Sequence, residues 1–272
     1  MTATRLIKAA LAEDIHTGDV TSRLVVPPGQ CARARVVARS SGILAGITVC
    51  RQVFLAVDRS TSVKPQLADG SRFSRGQTLA RVVGYARPML AAERTALNFL
   101  QHLSGIATLT RRFVDAVRGT RAVILDTRKT TPGWRQLEKY AVRCGGGTNH
   151  RMGLYDRILI KDNHIAVAGS IAEALRRCRG RVPAKDVEVG NLDEFRQALA
   201  AHARRILLDN MTVAQMKQAV TLARGRAKLE ASGGVNLRNV RRIAGTGVDY
   251  ISVGAITHSA PAADIALDFL PD

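Results

Sequence analysis

Apolar and polar positions along this chain follow two different rhythms. Ala3 to Glu13 places Leu6, Ala9, Ala10 and Leu11 on one side, the spacing of a helix. Asp14 to Ser22 reads as a loop, with Gly18-Asp19 as its turn signal. Between Cys31 and Gly84 the period shortens. Runs such as Ala34–Ala38 and Thr78–Val83 are rich in strand formers, and Gly42, Gly46, Gly70 and Gly76 punctuate them. This predicts a sheet-rich module of fewer than roughly 100 residues. Helical spacing returns between Pro88 and Gly105, where Leu90, Leu97, Leu100 and Leu103 recur. The boundary falls at this helix, giving a β-rich domain over 1–104 with helices at its ends and a second domain over 105–272.

The second domain is more regular. Six short apolar runs each end in polar residues or glycine: Ala122–Leu125, Ile158–Ile160, Val187–Val189, Ile206–Leu208, Lys228–Glu230 and Tyr250–Val253. Helix-like segments separate the later ones, at Ser170–Arg179, Asp193–Ala201, Val213–Ala223 and Leu237–Ala244. Such alternation predicts βα units on a parallel sheet, and six or seven consecutive units favour an α/β barrel over an open sheet. No GxGxxG follows a strand, so the dinucleotide-binding pattern is absent. In a β/α barrel the chemistry sits at the C-terminal strand ends. That rule selects Arg128, Lys129, Lys161, Glu188, Asp209, Glu230, Ser232 and Gly254.

Composition adds bounds. The chain has 272 residues, 46% apolar and 23% charged, which suits a globular protein of one large or two modest domains. Charge-free stretches such as Thr95–Thr110 contain polar residues and fall short of about 18 apolar positions. Met1–Glu13 lacks an apolar core. Neither a membrane span nor a secretory signal is therefore expected. Cys31, Cys50, Cys144 and Cys178 form no CxxC pair, which favours reduced thiols in a cytoplasm over disulfides or zinc. A nucleophilic Cys144 lacks supporting histidine logic, so a small packed side chain is the plainer reading.

Lys plus Arg number 41 against 22 Asp plus Glu, a formal charge of +19. Nucleic acid is one partner such charge suits. However, aromatic residues are only 4% of the chain, and the basic residues are dispersed in pairs such as Arg111-Arg112, Arg176-Arg177 and Arg241-Arg242. Solvated helix faces explain those pairs better. An anionic small substrate explains the cations at the strand ends.

The local chemistry agrees. Ser232-Gly233-Gly234 and Val253-Gly254-Ala255 end the last two strands, where backbone N–H groups without a nearby Cβ can face a phosphate. Arg128 can clamp a carboxylate in a fork while Lys129 acts as a point charge. Asn149-His150-Arg151 adds a further cation and an imidazole. Glu188 and Asp209, on neighbouring strands, can hold Mg²⁺ or steady a developing cation. A carboxylate pair also suits glycoside hydrolysis, but the surrounding cations argue against a neutral sugar. Gly145-Gly146-Gly147 precedes no GK[ST], so it is a bend before His150 and not a Walker loop. Trp134, after Pro132-Gly133, reads as local packing.

Together these residues resemble the quinolinate phosphoribosyltransferase family over nearly the whole chain. The likeness runs through Glu13-Asp14 to Gly18-Asp19-Val20-Thr21, Glu93–Asn98 and Leu103–Ala107. Its most specific stretch is Asp126–Thr130 leading to Lys139–Val142, Gly145–Gly147 and Asn149–Arg151, then Ile160–His164 and Leu208–Asn210. The resemblance implies an N-terminal β-rich, open sandwich-like α+β domain and a C-terminal α/β barrel of six or seven strands, with the last residues packing on the N-terminal domain. It implies a cytoplasmic homodimer, Mg²⁺ as cofactor, and quinolinate and phosphoribosyl pyrophosphate (PRPP) as substrates, with no nucleic acid or membrane partner. Arg94, lent by the other subunit, would join Arg128 and Arg151 on the two quinolinate carboxylates. Lys129, His150 and Lys161 would complete a cationic pocket and contact PRPP. Glu188 and Asp209 would hold ribose hydroxyls and Mg²⁺, and with Lys129 and Lys161 form the catalytic set. Ser232, Gly233, Gly234 and Gly254 would bind phosphate with His258 nearby, and Thr127, Val253 and Ala255 complete the binding set.

Four positions depart from the family's pattern. The run Asp186-Val187-Glu188-Val189-Gly190 has Asp for a usual Glu and Gly190 for a usual acid, while Thr131 and Trp134 stand where Leu or a similar residue is common. A molybdenum-associated paralogue of the same fold is expected to lack the intact Lys161–His164 segment. Nicotinate phosphoribosyltransferase would need one carboxylate pocket instead of two.

Overall fold

The computed structural model describes residues 2–178 and 185–271, with Lys185 described by its backbone alone. Met1, Arg179 and Asp272, which close segments read from the sequence, lie outside the described residues. Two compact units emerge: Met1–Arg111, Thr130–Gly146 and Ser259–Asp272 form one, and Arg112–Lys129 with Gly147–His258 form the other. This differs from a single cut after residue 104. Two later segments return to the first unit because a helix and a strand there complete its core.

The first unit holds α1 (Ala3–Ile15), α2 (Val20–Val25), β1 (Cys31–Ala38), β2 (Gly42–Ile43), α3 (Ile47–Val57), β3 (Ser62–Pro65), β4 (Arg72–Phe73) and β5 (Thr78–Tyr85). The loop expected through Ser22 ends early. Asp19 accepts the Ser22 N–H at 2.9 Å and starts α2 as its N-cap. Helix α4 (Ala86–Ala116) is longer than the Pro88–Gly105 pattern and continues past the unit's limit. Strands β1, β3 and β5 join a strand near the chain's end, Ile265–Leu270, in an antiparallel sheet that places that last strand beside β1. Strand alternation buries Ala34, Val36, Val82 and Val63 and leaves Arg33, Arg35, Arg81 and Lys64 exposed. Part of the excess charge therefore lies on this outer face, where Arg35 is opposite Arg81 and Arg81 opposite Lys64.

Helix α5 (Arg135–Cys144) ends at Gly145. A Cβ there would come within 2.5 Å of the Ala107 carbonyl oxygen, so glycine permits close packing on α4. Trp134 stacks on Phe99 with ring centroids 4.6 Å apart, the packing role its sequence context suggests. The Thr131 N–H donates to the buried Glu138 at 3.1 Å. Cys144 is half-buried, and burial pushes its thiol pKa up, the opposite of an activated nucleophile.

The second unit is built on six parallel strands: β6 (Val123–Leu125), β7 (Ile158–Ile160), β8 (Lys185–Val189), β9 (Arg205–Asp209), β10 (Lys228–Ser232) and β11 (Tyr250–Ser252). Their order is β6-β11-β10-β9-β8-β7, and Thr148 adds a parallel bridge to Leu125 on the other edge of β6. Each of the six apolar runs in the sequence is one of these strands. The helices are α6 (Asp162–Ala168), α7 (Ile171–Arg177), α8 (Leu192–Ala200), α9 (Val213–Ala223), α10 (Val240–Ala244) and α11 (Ala255–His258), and β12 (Ile265–Leu270) is the returning strand of the first unit. Side-chain caps start several of them. Ser170 accepts the Glu173 N–H, Asn191 those of Asp193 and Glu194, and Thr212 with Gln215 forms a capping box. Val187, Ile206, Leu208, Leu229, Ala231 and Ile251 are buried along the strands. So are Asp186, Arg205 and Glu230, charged residues inside a barrel type usually filled by branched apolar side chains.

Candidate active site

The C-terminal strand ends of the second unit surround one cavity of about 820 Å³. Beyond β6, the Thr127 hydroxyl accepts the Lys129 N–H at 3.0 Å, tightening the turn that presents Arg128 and Lys129. The Thr257 hydroxyl donates to the Lys129 carbonyl at 2.7 Å and ties this turn to α11. Asp126, fully buried, accepts the Asn149 side-chain amide at 2.5 Å and the His150 N–H at 2.8 Å. These bonds hold the Asn149–Arg151 segment against the end of β6.

Across the mouth, Lys161 donates to Glu188 at 2.6 Å. Asn210 donates to Asp209 at 2.9 Å. Arg151 is only 8% exposed. Burial, then the charge of Arg128, pulls its guanidinium below the ordinary arginine value, while Asp156, Asp186 and Glu188 oppose that shift. Two guanidinium groups held near one another suit a ligand with more than one negative group.

Glycine shapes the far side. Gly233 has φ +91°, and a Cβ there would lie 2.1 Å from Asn210 Oδ1. Gly234 has φ +60° with open space before it. At Gly254 a Cβ would approach Lys129 Cδ to 3.1 Å and His258 Nε2 to 3.2 Å. Only glycine lets the backbone lie this close to the neighbouring side chains, as an anion-binding turn requires.

Thr127, Arg128, Lys129, His150, Arg151, Lys161, Glu188, Asp209, Ser232, Gly233, Gly234, Gly254, Ala255 and His258 all line this cavity. Two of the residues named from the sequence do not. Val253 is 1% exposed, and its N–H donates to the Leu125 carbonyl at 2.9 Å, so its side chain serves the core. Arg94 is exposed on α4, in the first unit. Leu159, Leu207, Val235 and Ser252 also line the cavity and were not singled out. Alternation within each strand was the available signal for Leu159, Leu207 and Ser252. Gly190 donates its N–H to Glu194 at 2.8 Å, so an α8 carboxylate meets the backbone where the family usually carries an acid.

A parallel barrel whose strand ends gather arginines, lysines, a carboxylate pair and close glycine turns is, as a class, a site for a multiply anionic, phosphorylated substrate. The chain belongs to the quinolinate phosphoribosyl transferase family: that family's N-terminal domain matches residues 19–104 and its C-terminal domain residues 106–268. It is 48% identical over 271 residues to the nicotinate-nucleotide pyrophosphorylase [carboxylating] of Mycobacterium leprae, covering 96% of this chain and 95% of that protein. The solved nicotinate-nucleotide pyrophosphorylase of Francisella tularensis is similar with a TM-score of 0.95 at 42% identity, over 98% of this chain and 96% of that one. The enzyme of the same name from Ehrlichia chaffeensis gives a TM-score of 0.95 at 40% identity, over 99% of both chains.

Proposed function

We propose that this enzyme transfers the phosphoribosyl group of PRPP to the ring nitrogen of quinolinate, with loss of CO₂, in the de novo route to NAD. The observation that carries this reading is the convergence of Arg128, Arg151, Lys129 and Lys161 with Glu188, Asp209 and two glycine turns around one cavity.

Arg128 and Arg151 would grip the two carboxylates of quinolinate, since a guanidinium forms paired charge-assisted hydrogen bonds to a carboxylate. Arg94 of a second subunit would complete the grip in a homodimer. The backbone at Ser232–Gly234 and Gly254, with His258, would seat the 5′-phosphate. Lys129 and Lys161 would face the pyrophosphate and offset its charge as it leaves C1 of the ribose. Glu188 and Asp209 would face the ribose, where positive charge develops as that bond breaks.

The chemistry then follows from charge. The pyridine nitrogen lone pair forms the bond to C1 as pyrophosphate departs with the C–O electrons. The ring nitrogen is now cationic. The bond from C2 to its carboxylate breaks, CO₂ leaves, and the electron pair stays at C2 beside the positive nitrogen. C2 then takes up a proton, giving nicotinate mononucleotide.

Glu188 and Asp209 also fit Mg²⁺. Among the described residues no group of three or more His, Cys, Asp or Glu side chains is placed to hold a metal. Two carboxylates that share the ion with substrate phosphates are a normal Mg²⁺ arrangement, whereas zinc would need more side-chain ligands. When bound, Mg²⁺ would supply charge to stabilise the leaving pyrophosphate. Among the described residues no helix is long and apolar enough to cross a membrane.

The test is an assay with PRPP, Mg²⁺ and ring-labelled quinolinate. Nicotinate mononucleotide and CO₂ are the expected products, with none formed when nicotinate replaces quinolinate. Absence of product from a folded enzyme that still binds PRPP would reject quinolinate as the acceptor.

A further inference from the structure

At the cavity wall lies a charged cluster that the reaction above does not use. Glu230, on β10, is fully buried. Arg205, on β9, donates to its Oε2 through Nε at 2.9 Å and also through Nη2. The Ser252 hydroxyl, on β11, donates to Oε1. His150 Nε2 lies 3.6 Å from the same oxygen. Arg205 also stacks over the Tyr250 ring, 4.0 Å from its centroid, which fixes the guanidinium on its other side. A buried ion pair is generally a poor source of net stability, because desolvating both charges offsets their attraction. Its location beside His150, a residue of the same cavity, suggests a different use.

The other ring nitrogen of His150 supplies the link. His150 Nδ1 accepts the Arg151 backbone N–H at 2.7 Å. A nitrogen that accepts carries no proton, so the neutral ring must bear its proton on Nε2, the atom facing Glu230. His150 is thereby held from both sides, its backbone N–H is taken by Asp126 at 2.8 Å, and its ring presents a fixed acceptor to the next residue. That next residue is Arg151. Its guanidinium is held in turn by a 3.3 Å bond from Nη1 to the Arg157 carbonyl.

We propose that Glu230 is a positioning residue: fixed by Arg205 and Ser252, it locks His150 in the Nε2–H tautomer, and His150 in turn fixes the Arg151 backbone for carboxylate recognition. The part concerning quinolinate rests on the reading of the preceding section. The tautomer lock does not. Carboxylate recognition by an arginine fork depends on orientation, and small displacements of a binding group are costly. Burial pushes the Glu230 carboxyl upward, but His150, Arg205 and Ser252 outweigh it and hold the pKa below the usual carboxylate value, so the charge that aligns the network persists.

Replacing Glu230 alone would strand the buried Arg205 charge and could unfold the chain. The test therefore uses both Glu230→Gln and the charge-balanced double variant Glu230→Gln/Arg205→Met, with Tm measured for each. In ¹⁵N-histidine NMR of the wild type, one ring is expected, in its neutral form, as a fixed Nε2–H tautomer, assigned by its loss in His150→Asn. In the folded double variant that signature should change to exchanging tautomers. Quinolinate KM should rise roughly tenfold or more, while PRPP affinity by calorimetry falls by a smaller factor. A wild-type His150 without the fixed tautomer, or a double variant that keeps it, overturns the inference. So does unchanged quinolinate KM, or an equal loss of PRPP and quinolinate binding. A wild type that shows the tautomer lock but does not turn over quinolinate refutes the proposed function instead and leaves the lock standing.

Discussion

Each cation at the cavity has a partner or a neighbour that defines its task. Lys161 is engaged by Glu188 at 2.6 Å, whereas Arg151 sits buried beside Arg128. Two neighbouring guanidinium groups raise the local positive potential, which favours an anionic ligand. Arg128→Ala should therefore remove charge-assisted hydrogen bonds worth about 1.5–3 kcal/mol, a roughly 10- to 150-fold loss in kcat/KM for quinolinate. Steady-state kinetics with each substrate varied in turn will check this, because the KM for PRPP should move far less. Unchanged kinetics would remove Arg128 from the site. The cysteines differ by the same logic of environment. Cys31 is exposed, while burial pushes the Cys50 thiol up to about 12. An alkylating reagent at pH 8 should label Cys31 and spare Cys50 until denaturant is added, as peptide mapping by mass spectrometry would record.

Elements place these residues through their ends. A strand that stops at Asp209 or Ser232 directs the next turn into the cavity, and the turn's shape depends on its glycines. Gly233 and Gly234 make a controlled comparison. Both have positive φ, but only at Gly233 would a Cβ collide, with Asn210 Oδ1 at 2.1 Å and the Asn210 backbone nitrogen at 2.9 Å. Gly234→Ala should cost about 1–2 kcal/mol, the left-handed penalty alone. Gly233→Ala should lower Tm further and raise the KM for PRPP more strongly, since the turn must move. Equal effects in thermal melts and kinetics would show that steric closeness at Asn210 does not shape the phosphate turn.

At the scale of the whole molecule, the proposed assembly has a direct consequence. Arg94 does not line the cavity of its own second unit, and the dimer reading supplies it from another subunit. Arg94→Ala and Asp209→Ala should each be nearly inactive alone. Mixed after partial unfolding and reassembly, they should recover about a quarter of wild-type activity, because half of the dimers are mixed and each mixed dimer has one complete site. No recovery, with mixed dimers demonstrated by mass spectrometry, would place Arg94 in its own subunit's chemistry or outside the reaction.

Periodicity was enough to locate all six barrel strands, because a buried parallel strand must be a short apolar run and the polar residues after it must turn. Knowing the strand ends was enough to find most of the cavity lining. The quoted motifs then narrowed a generic anion site to one family. Other features depended on contacts distant in sequence. Nothing around Ile265–Leu270 indicates that it pairs with β1, more than 220 residues earlier, and an edge strand finds its partner only when the sheet forms. The early start of α2 depended on the Asp19 side chain reaching Ser22, where a turn and a cap share the same residues. Glu230 was visible as a strand-end acid. Its burial against Arg205, Ser252 and His150 was not, because the inward alternation of three separate strands has to close before those side chains meet. The sequence alone therefore determined the strands, the turns and the kinds of charge they carry. Tertiary structure decided which charges became partners, because pairing depends on distance and burial, and both arise only when the sheet closes.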